Sequence, residues 1–306
     1  MTKILVDGVQ LEYDVSGPEN GAPILLIMGF GTQMTAWPEE FHQMLRDGGL
    51  RVIRFDNRDV GLSQKWDGVL PDIKAVQKAR SVGTKPPIPY SLDDMAHDAA
   101  GLLDALGIDC AHIAGASMGG MIAQLVALNH PEKARSLISI FSTTGDRALP
   151  PSSPEAQAAL MSSPETSDRE TVIAHALSTR KVYASTRFAF DRARLAESVG
   201  DGYDRSYYPE GAQRHWAAII AAPARGERLK GLRLPCLVLH GSADTLIRPE
   251  AGRYTAACIT GAQYHEIEGW GHDMPLGVIA ELSEKILPFV RDVEAKNPAR
   301  GGGVSL

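Results

Sequence analysis

Short apolar runs that alternate with stretches of helical periodicity constrain the fold of this 306-residue chain more than any other feature. Residues 3–15 predict a β-hairpin, because two strand-like runs are joined there by Asp7-Gly8, a pair typical of tight turns. The strand-like runs that follow are residues 23–28, 51–55, 110–114, 136–141, 234–239 and 263–267. Strands that alternate with helices in this way predict an α/β fold with a mostly parallel central sheet covered by helices on both faces.

The clearest predicted helix covers residues 91–106. Ser91 fits an N-cap position, and Asp94 places an acidic side chain near the unpaired N–H groups of the first turn. An apolar stripe runs along this segment at helical spacing, formed by Leu92, Met95, Ala99, Leu102, Leu103 and Leu106. Gly107 then supplies a residue type that commonly ends a helix. The last helix is predicted over residues 274–293.

The composition changes after the sixth predicted strand. Residues 142–228 are rich in Ser, Pro, Ala and Arg and show no strand-like alternation, which predicts a helical cap inserted between two strands of the sheet. The core of the fold is then expected to comprise residues 1–141 and 229–296. The tail at residues 297–306 contains consecutive glycines and is predicted to be disordered.

The overall charge argues against several classes of partner. The formal net charge is −6, and no basic stripe is visible, so neither nucleic acid nor an anionic membrane surface is expected as a partner. The apolar run at residues 23–28 is too short to span a bilayer. A small molecule is therefore the expected partner, while both a monomer and a homo-oligomer stay open.

The N-terminus and the cysteines predict a cytoplasmic location. Residues 1–8 lack the long apolar stretch of a signal peptide. The three cysteines form a sparse, odd set, and Cys110 and Cys236 lie beside or within apolar strands, where a buried thiol is the usual interpretation. Such a set is typical of proteins that fold in a reducing compartment.

Residues 115–119 read Gly-Ala-Ser-Met-Gly and lie between an apolar strand and an apolar helix. This G-x-S-x-G pattern, in a strand–turn–helix setting, is typical of a nucleophilic serine whose hydroxyl is exposed on a sharp, strained turn. Glycines on both sides allow the neighbouring backbone to pass closely. Ser117 is therefore the predicted nucleophile.

A serine hydroxyl needs a base and an orienting acid to become nucleophilic at neutral pH. In sheets of this kind the three groups follow the chain order Ser, then Asp or Glu, then His. Asp244 follows an apolar strand and is the favoured acid, with Asp146 as the competing candidate. His272 lies in a glycine-flanked loop before the last helix and is the predicted base, whereas His112, His240 and His265 are interpreted as structural.

The negatively charged oxygen of a tetrahedral intermediate needs preplaced donors. The backbone N–H of Met118, directly after the nucleophile, and that of Phe30, after the 23–28 strand, are the predicted oxyanion-hole donors. Gly29, Met34 and Trp270 are predicted to line the substrate pocket, because pockets for small ligands are mostly apolar. No metal-binding pattern or phosphate-binding loop is visible, so neither a metal nor another cofactor is expected.

The loop from Asp56 to Ser63 contains charged residues that could suggest a substrate site. A structural role is the favoured interpretation, in which Asp56 and Arg58 form a partly buried polar network that supports the loops around the nucleophile. Binding of substrate by these side chains is the alternative.

Taken together, these motifs resemble the α/β-hydrolase superfamily. The resemblance rests on Gly29-Phe30-Gly31, the Asp56–Ser63 loop, residues 115–120, Gly241-Ser242-Ala243-Asp244 and Gly271-His272. One departure is that Met28 stands where many members have a histidine before the oxyanion glycine, which bears on substrate preference. Residues 28–29, 37–41 and 52–56 are also similar to aclacinomycin methylesterase-like esterases. The resemblance implies an α/β-hydrolase fold with its cap after the sixth strand.

The residues and the resemblance together predict a serine hydrolase that cleaves carboxylic esters of small, moderately hydrophobic substrates through an acyl-enzyme intermediate. Hydrolysis of lactones, amides or carbon–carbon bonds by the same three residues is the alternative, because this fold hosts all of these reactions. A non-catalytic binding protein on the same scaffold is disfavoured, because Ser117, Asp244 and His272 are all retained.

Overall fold

The structure is a computed structural model that describes residues 2–296. The tail predicted to be disordered, residues 297–306, lies outside these residues. An eight-stranded sheet forms the centre of the molecule. Its strands are β1 (Thr2–Val6), β2 (Val9–Ser16), β3 (Ala22–Ile27), β4 (Leu50–Phe55), β5 (Ala111–Ala116), β6 (Ala134–Ile140), β7 (Cys236–Gly241) and β8 (Gln263–Ile267).

The strand order in the sheet is β1-β2-β4-β3-β5-β6-β7-β8. β1 pairs with β2, and β2 with β4, in antiparallel fashion, whereas every pair from β4 to β8 is parallel. The prediction of a mostly parallel sheet is therefore confirmed. Because the carboxyl ends of parallel strands share one edge, the loops after β3, β5, β7 and β8 can meet there.

The predicted hairpin at the N-terminus is confirmed by the pairing of β1 with β2. Asp7 and Gly8 connect the two strands with φ angles of 45° and 87°. Two consecutive residues with positive φ are the signature of a type I′ turn, whose twist matches that of the flanking strands. The Asp-Gly pair supplies these angles at low steric cost.

Helices cover both faces of the sheet. They are α1 (Glu39–Asp47), α2 (Ile73–Val82), α3 (Leu92–Ala105), α4 (Met118–Asn129), α5 (Pro154–Met161), α6 (Arg169–Val182), α7 (Arg192–Ser206), α8 (Pro209–Ala221), α9 (Gly226–Leu229), α10 (Pro249–Cys258) and α11 (Leu276–Lys296). A 3₁₀ turn covers Met34–Ala36. α3 and α4 pack on one face of the sheet with one apolar cluster, and α1 and α11 contribute to a second cluster on the other face.

The local sequence explains where α3 begins and why no helix was predicted for the residues of α2. The Ser91 hydroxyl accepts a hydrogen bond from Asp94 N, and the Asp94 carboxylate accepts one from Ser91 N, so a capping box starts α3. α2 buries only Val76 and Ala79, so its sequence carries little of the apolar periodicity that marks a packed helix.

Helices α5 to α9 lie between β6 and β7, in the segment where the sequence predicts a cap, and residues 142–228 contain no strand. This segment is called the cap below, and its role as a cap stays a prediction. α6 has no buried residue, and α5 and α7 bury one small residue each. α8 differs, because it buries polar side chains that include Arg214 and His215. These two residues face the loops at the carboxyl edge of the sheet, as described below.

All three cysteines are buried, which confirms the prediction made for Cys110 and Cys236. Burial raises the pKa of the Cys236 thiol to about 12. Among residues 2–296, no helix combines the length and the apolar character needed to cross a bilayer.

Candidate active site

Ser117 occupies a strained turn between β5 and α4. Its φ of 56° and ψ of −120° are rare for a residue with a side chain. Glycine is required on both sides, because a Cβ on Gly115 would lie 2.0 Å from Gly119 O. A Cβ on Gly119 would lie equally close, at 2.0 Å, to Ile27 O at the end of β3. The strand–turn–helix predicted around Ser117 is thus confirmed, and tight packing of the backbone maintains it.

His272 lies in the loop after β8, and its Nε2 atom is 2.9 Å from the Ser117 hydroxyl oxygen. The backbone N–H of His272 donates to Tyr183 O at 2.8 Å, and the ring centroid lies 4.5 Å from that of Phe141. A Cβ on Gly271 would lie 2.5 Å from the backbone carbon of Ala184, so this loop packs tightly on the cap. Backbone and ring contacts therefore hold the imidazole beside Ser117.

Asp244 lies in the loop after β7, with its side chain fully buried. Its Oδ2 atom is 2.7 Å from His272 Nδ1, while Oδ1 accepts from the N–H groups of Leu246 and Ile247, both at 2.9 Å. Burial favours the protonated carboxyl, but the charge of a protonated His272 and the hydrogen bonds from His240 and His272 outweigh it. The pKa of Asp244 is thereby lowered to about 2.

An ionised Asp244 determines the tautomer of His272. A carboxylate only accepts hydrogen bonds, so Nδ1 of His272 carries the proton and donates to Oδ2. The lone pair of Nε2 then faces Ser117, whose hydroxyl donates to it. The arrangement is therefore able to remove the serine proton and to stabilise the resulting imidazolium.

The structure does not bring the competing acid, Asp146, to the histidine. Asp146 Oδ2 accepts hydrogen bonds from the Thr144 hydroxyl at 2.6 Å and from Gly226 N at 3.3 Å, and these contacts belong to the junction with α9. The hydrogen bond to His272 comes from Asp244 instead. Of the two candidate acids, the structure therefore brings only Asp244 to His272, and its role as the catalytic acid stays a prediction.

The two predicted oxyanion donors lie on elements that flank Ser117. Met118 is the first residue of α4, so its N–H has no carbonyl partner within that helix. The loop after β3 lies beside the serine, because a Cβ on Gly29 would be 3.3 Å from Ser117 Cβ and 3.9 Å from Ser117 Oγ. Phe30 follows Gly29 in this loop. The role of both N–H groups stays a prediction.

Two of the three predicted pocket residues are wrongly assigned. The side chains of Met34 and Trp270 have no solvent-accessible area, so they line no space that a substrate can enter. The Trp270 indole Nε1 donates to Asp273 O at 2.7 Å, and its ring packs edge-on against Phe141. Trp270 therefore supports the histidine loop from within the core. Gly29 is adjacent to Ser117, and its role in binding stays a prediction.

The predicted polar network in the Asp56–Ser63 loop exists, but its partners differ from those expected. Asp56 is fully buried and accepts from Met34 N at 2.8 Å, from Leu62 N at 2.9 Å and from Arg205 of α7 at 2.6 Å. Arg58 forms a separate buried ion pair with Asp98 of α3, at 2.6 and 2.7 Å. The network is thus more buried than predicted, and it extends into the cap.

The cap residues of this network were not predicted from the sequence. Arg214 of α8 donates to both oxygens of Asp59, at 2.8 and 3.1 Å, and both side chains are fully buried. The ring of Tyr90 also hydrogen-bonds Asp59 through its hydroxyl. His215 bridges two loops, as described below. The cap residues lie far along the chain from their partners, and no local motif marks them.

Comparisons with known proteins agree with the observed fold. Residues 22–276 match the family model described as alpha/beta hydrolase fold. Rhodomycin D methylesterase DauP from Streptomyces sp. (strain C5) is 29% identical, over 94% of this chain and 97% of its own length. Rhodomycin D methylesterase DnrP from Streptomyces peucetius is 28% identical, over 93% and 96%. The solved enol-lactonase from Burkholderia xenovorans LB400 is 21% identical, with a TM-score of 0.70 over 95% of this chain and 100% of that chain.

The chain belongs to the alpha/beta hydrolase family, because the family model matches most of its length. Within that family it is a hydrolase that resembles esterases, as the two methylesterases indicate. The resemblance drawn from its motifs is thereby confirmed. Within residues 2–296, no group of three or more His, Cys, Asp or Glu side chains is arranged to hold a metal ion.

Proposed function

We propose that this protein hydrolyses carboxylic esters, with Ser117 as nucleophile, His272 as general base and acid, and Asp244 as the group that orients His272. The observation that carries the proposal is the continuous chain of short hydrogen bonds from Ser117 Oγ to His272, at 2.9 Å, and from His272 to the buried Asp244, at 2.7 Å. A serine on a strained turn with this pair beside it is the arrangement used for acyl transfer.

In the acylation step, Ser117 Oγ attacks the ester carbonyl while His272 Nε2 takes the hydroxyl proton. The tetrahedral intermediate places its negative oxygen at the N–H groups of Phe30 and Met118. The carbon–oxygen bond to the alcohol then breaks, and His272 returns the proton to the leaving alkoxide. The products of this step are a free alcohol and an ester between the acyl group and Ser117.

In the deacylation step, water replaces the alcohol at the same position. His272 takes a proton from the water, whose oxygen attacks the acyl carbon and forms a second tetrahedral intermediate. Collapse of this intermediate breaks the bond to Ser117 Oγ, which recovers its proton from His272. The carboxylic acid is released, and the enzyme returns to its starting state without any cofactor.

We further propose that the substrate is a small, moderately hydrophobic ester. Methyl esters are the first choice, because two relatives that are 29% and 28% identical over most of this chain are named as methylesterases of rhodomycin D. Apolar surface around Ser117, including Phe30, would bind the acyl or alcohol group. Short p-nitrophenyl esters share this chemistry and provide a convenient colour assay.

The test is a substrate panel assayed with purified wild type and Ser117→Ala. The panel contains p-nitrophenyl acetate and butyrate, aromatic methyl esters, a simple lactone and an anilide. We expect turnover of the esters by the wild type only, and weaker turnover of the lactone and the anilide. Activity confined to the lactone or the anilide would overturn the ester proposal, and equal rates for wild type and Ser117→Ala would exclude the proposed nucleophile.

A further inference from the structure

The loop of residues 28–34 carries the proposed oxyanion donor Phe30 and is held by residues of the cap. Gly31 N donates to Nδ1 of His215 on α8 at 3.2 Å. On the opposite side of the ring, His215 Nε2 donates to Arg58 O at 2.8 Å. One cap side chain therefore joins the 28–34 loop to the Asp56–Ser63 loop.

The charge state of His215 suits this bridging position. The side chain is fully buried, and burial lowers its pKa to about 4. Arg58, Asp59 and Arg214 surround it, and the ring of Tyr90 packs edge-on against it. A neutral imidazole has one donor and one acceptor nitrogen, and here the acceptor faces Gly31 N–H while the donor faces Arg58 O. At neutral pH both ring nitrogens are thus satisfied.

The peptide groups on either side of the Phe30 N–H are anchored. The Phe30–Gly31 peptide is held at its N–H by His215 and at its carbonyl oxygen by the Thr32 hydroxyl, at 2.8 Å. The Met28 carbonyl accepts from Asn57 Nδ2 at 3.0 Å. Because peptide groups are planar, fixing both neighbours leaves little freedom for the peptide between them, which carries the Phe30 N–H.

Two further contacts join the cap to this loop: α8 packs against Gly31, and α7 forms hydrogen bonds with Gln33. Gly31 has a φ of +61°, and a Cβ there would lie 3.2 Å from the Ala212 Cβ of α8. Gln33 donates to the carbonyl oxygens of Gly202 and Ser206 of α7, at 2.6 and 2.8 Å, and accepts from Arg205 at 2.6 Å. Both α7 and α8 therefore hold the loop.

We propose that His215 is a positioning residue for the oxyanion hole: its acceptor nitrogen holds the Gly31 N–H, and this contact aligns the Phe30 N–H with the oxygen of the tetrahedral intermediate. This inference rests on the proposed esterase function. It assigns the cap a part in stabilising the transition state, in addition to any contact that the cap makes with substrate. Removing the acceptor should therefore lower kcat more than it raises KM.

Two substitutions separate the acceptor from the other contacts of the ring. In His215→Asn, the amide oxygen can occupy the position of Nδ1 and still accept from Gly31 N–H. In His215→Gln, the longer side chain reaches the position of Nε2 toward Arg58 O but leaves Gly31 N–H without its acceptor. We expect kcat on p-nitrophenyl butyrate to fall about 10- to 100-fold in the Gln variant, with the Asn variant clearly closer to wild type.

The second readout is the inhibition constant of phenylboronic acid, which forms a tetrahedral adduct with an activated serine. This constant does not depend on the fraction of folded enzyme, so it separates a lost oxyanion contact from lost protein. We expect it to rise in the Gln variant by a factor similar to the fall in kcat. His175→Gln, a partly exposed cap histidine that bonds Ser162, is the matched control and should behave as wild type.

An unchanged kcat and boronate affinity in folded His215→Gln would overturn the positioning role. A fall in kcat without a change in boronate affinity would overturn it too, because the loss would then lie outside the oxyanion hole. Wild type that is indistinguishable from Ser117→Ala would instead remove the proposed function, and this inference with it. Equal losses in the Asn and Gln variants would likewise exclude the acceptor nitrogen as the cause.

Discussion

The sheet core and the cap are stabilised by different kinds of contact. Every residue of β5, β6 and β7 is buried, and α4 buries ten of its twelve residues. The cap helix α6 buries none. Ion pairs tie cap helices to the core, among them Arg194–Glu40, Arg205–Asp56 and Arg214–Asp59. Apolar burial therefore stabilises the core, and directional polar contacts position the cap.

This difference in contacts matters because the cap contacts two loops of the candidate site, the loop after β8 that carries His272 and the 28–34 loop. Tyr183 O accepts the backbone N–H of His272, and His215 accepts the N–H of Gly31. Hydrogen bonds set distances and angles that apolar contacts leave open, so a polar attachment suits a part whose position must be defined accurately. The predictions below test this contrast.

The largest effect is expected at the proposed catalytic residues, all of which lie in the sheet core. Ser117→Ala or His272→Ala should lower kcat/KM for an ester by about 10⁴- to 10⁶-fold, because the groups act as a unit. Asp244→Asn should have a smaller effect. Thermal unfolding of Ser117→Ala should stay near that of wild type, since the change is small and lies on the surface of the turn. A His272→Ala enzyme with near wild-type rates would contradict the proposed base.

The next largest effects are losses of unfolding free energy, expected at one core residue and at the most buried ion pair between cap and core. Leu237→Ala in β7 should cost about 2–5 kcal/mol of unfolding free energy by leaving a cavity. Asp59→Asn should cost about 3–5 kcal/mol, because Arg214 would stay buried without its close carboxylate. Denaturant unfolding measures both changes.

The double variant Asp59→Asn with Arg214→Met is the matched control for the ion pair. Removing both charges should recover much of the lost stability, because no buried charge is then left without its partner. If Asp59→Asn alone were as stable as wild type, the cap would not depend on this pair, and the contrast with the core would fail.

A smaller effect should appear as a dependence of stability on pH. His215 has a pKa of about 4 in the folded protein against an ordinary value of 6.5, so the unfolded chain binds more protons between these values. The free energy of unfolding should therefore fall as pH drops from 6.5 to 4, by about 3 kcal/mol from this residue. His215→Gln should lose less stability over the same range, as urea titrations at each pH would reveal. Identical pH profiles would mean that His215 is not held in its neutral form.

The smallest effect is expected at an exposed cap ion pair. Arg169 of α6 contacts Asp204 of α7 at 2.9 Å, but both side chains are about half exposed. Arg169→Ala should lower the unfolding free energy less than any other stability variant named above, and the difference should shrink in high salt. If Arg169→Ala lowered the unfolding free energy as much as Asp59→Asn does, the cap would depend on its exposed ion pairs as much as on the buried pair Arg214–Asp59.

The core and the site residues within it were predictable because their signals are local. Ser117 lies in a five-residue motif between a strand and a helix, and Asp244 and His272 each lie a few residues after the end of a strand. Parallel strands bring such positions to one edge whatever the details of packing. The capping box at Ser91 is equally local, and the structure retains it.

The contacts of the cap were not predictable from local patterns. Arg205, Arg214 and His215 lie in helices without distinctive motifs, and their partners are found in loops near the start of the chain. The errors at Met34 and Trp270 have a related cause. An apolar residue close in sequence to a site can point into the core or into a pocket, and the packing of neighbouring elements decides which.

The amino-acid order alone is sufficient to indicate a parallel sheet, its hairpin edge and the candidate pair Ser117 and His272, because hydrophobic periodicity and turn chemistry act over a few residues. The tertiary structure was needed to bring Asp244 rather than Asp146 to His272, and His215 to Gly31. Those choices depend on which surfaces meet when distant segments pack, and the hydrogen bonds formed there are specified by three-dimensional geometry.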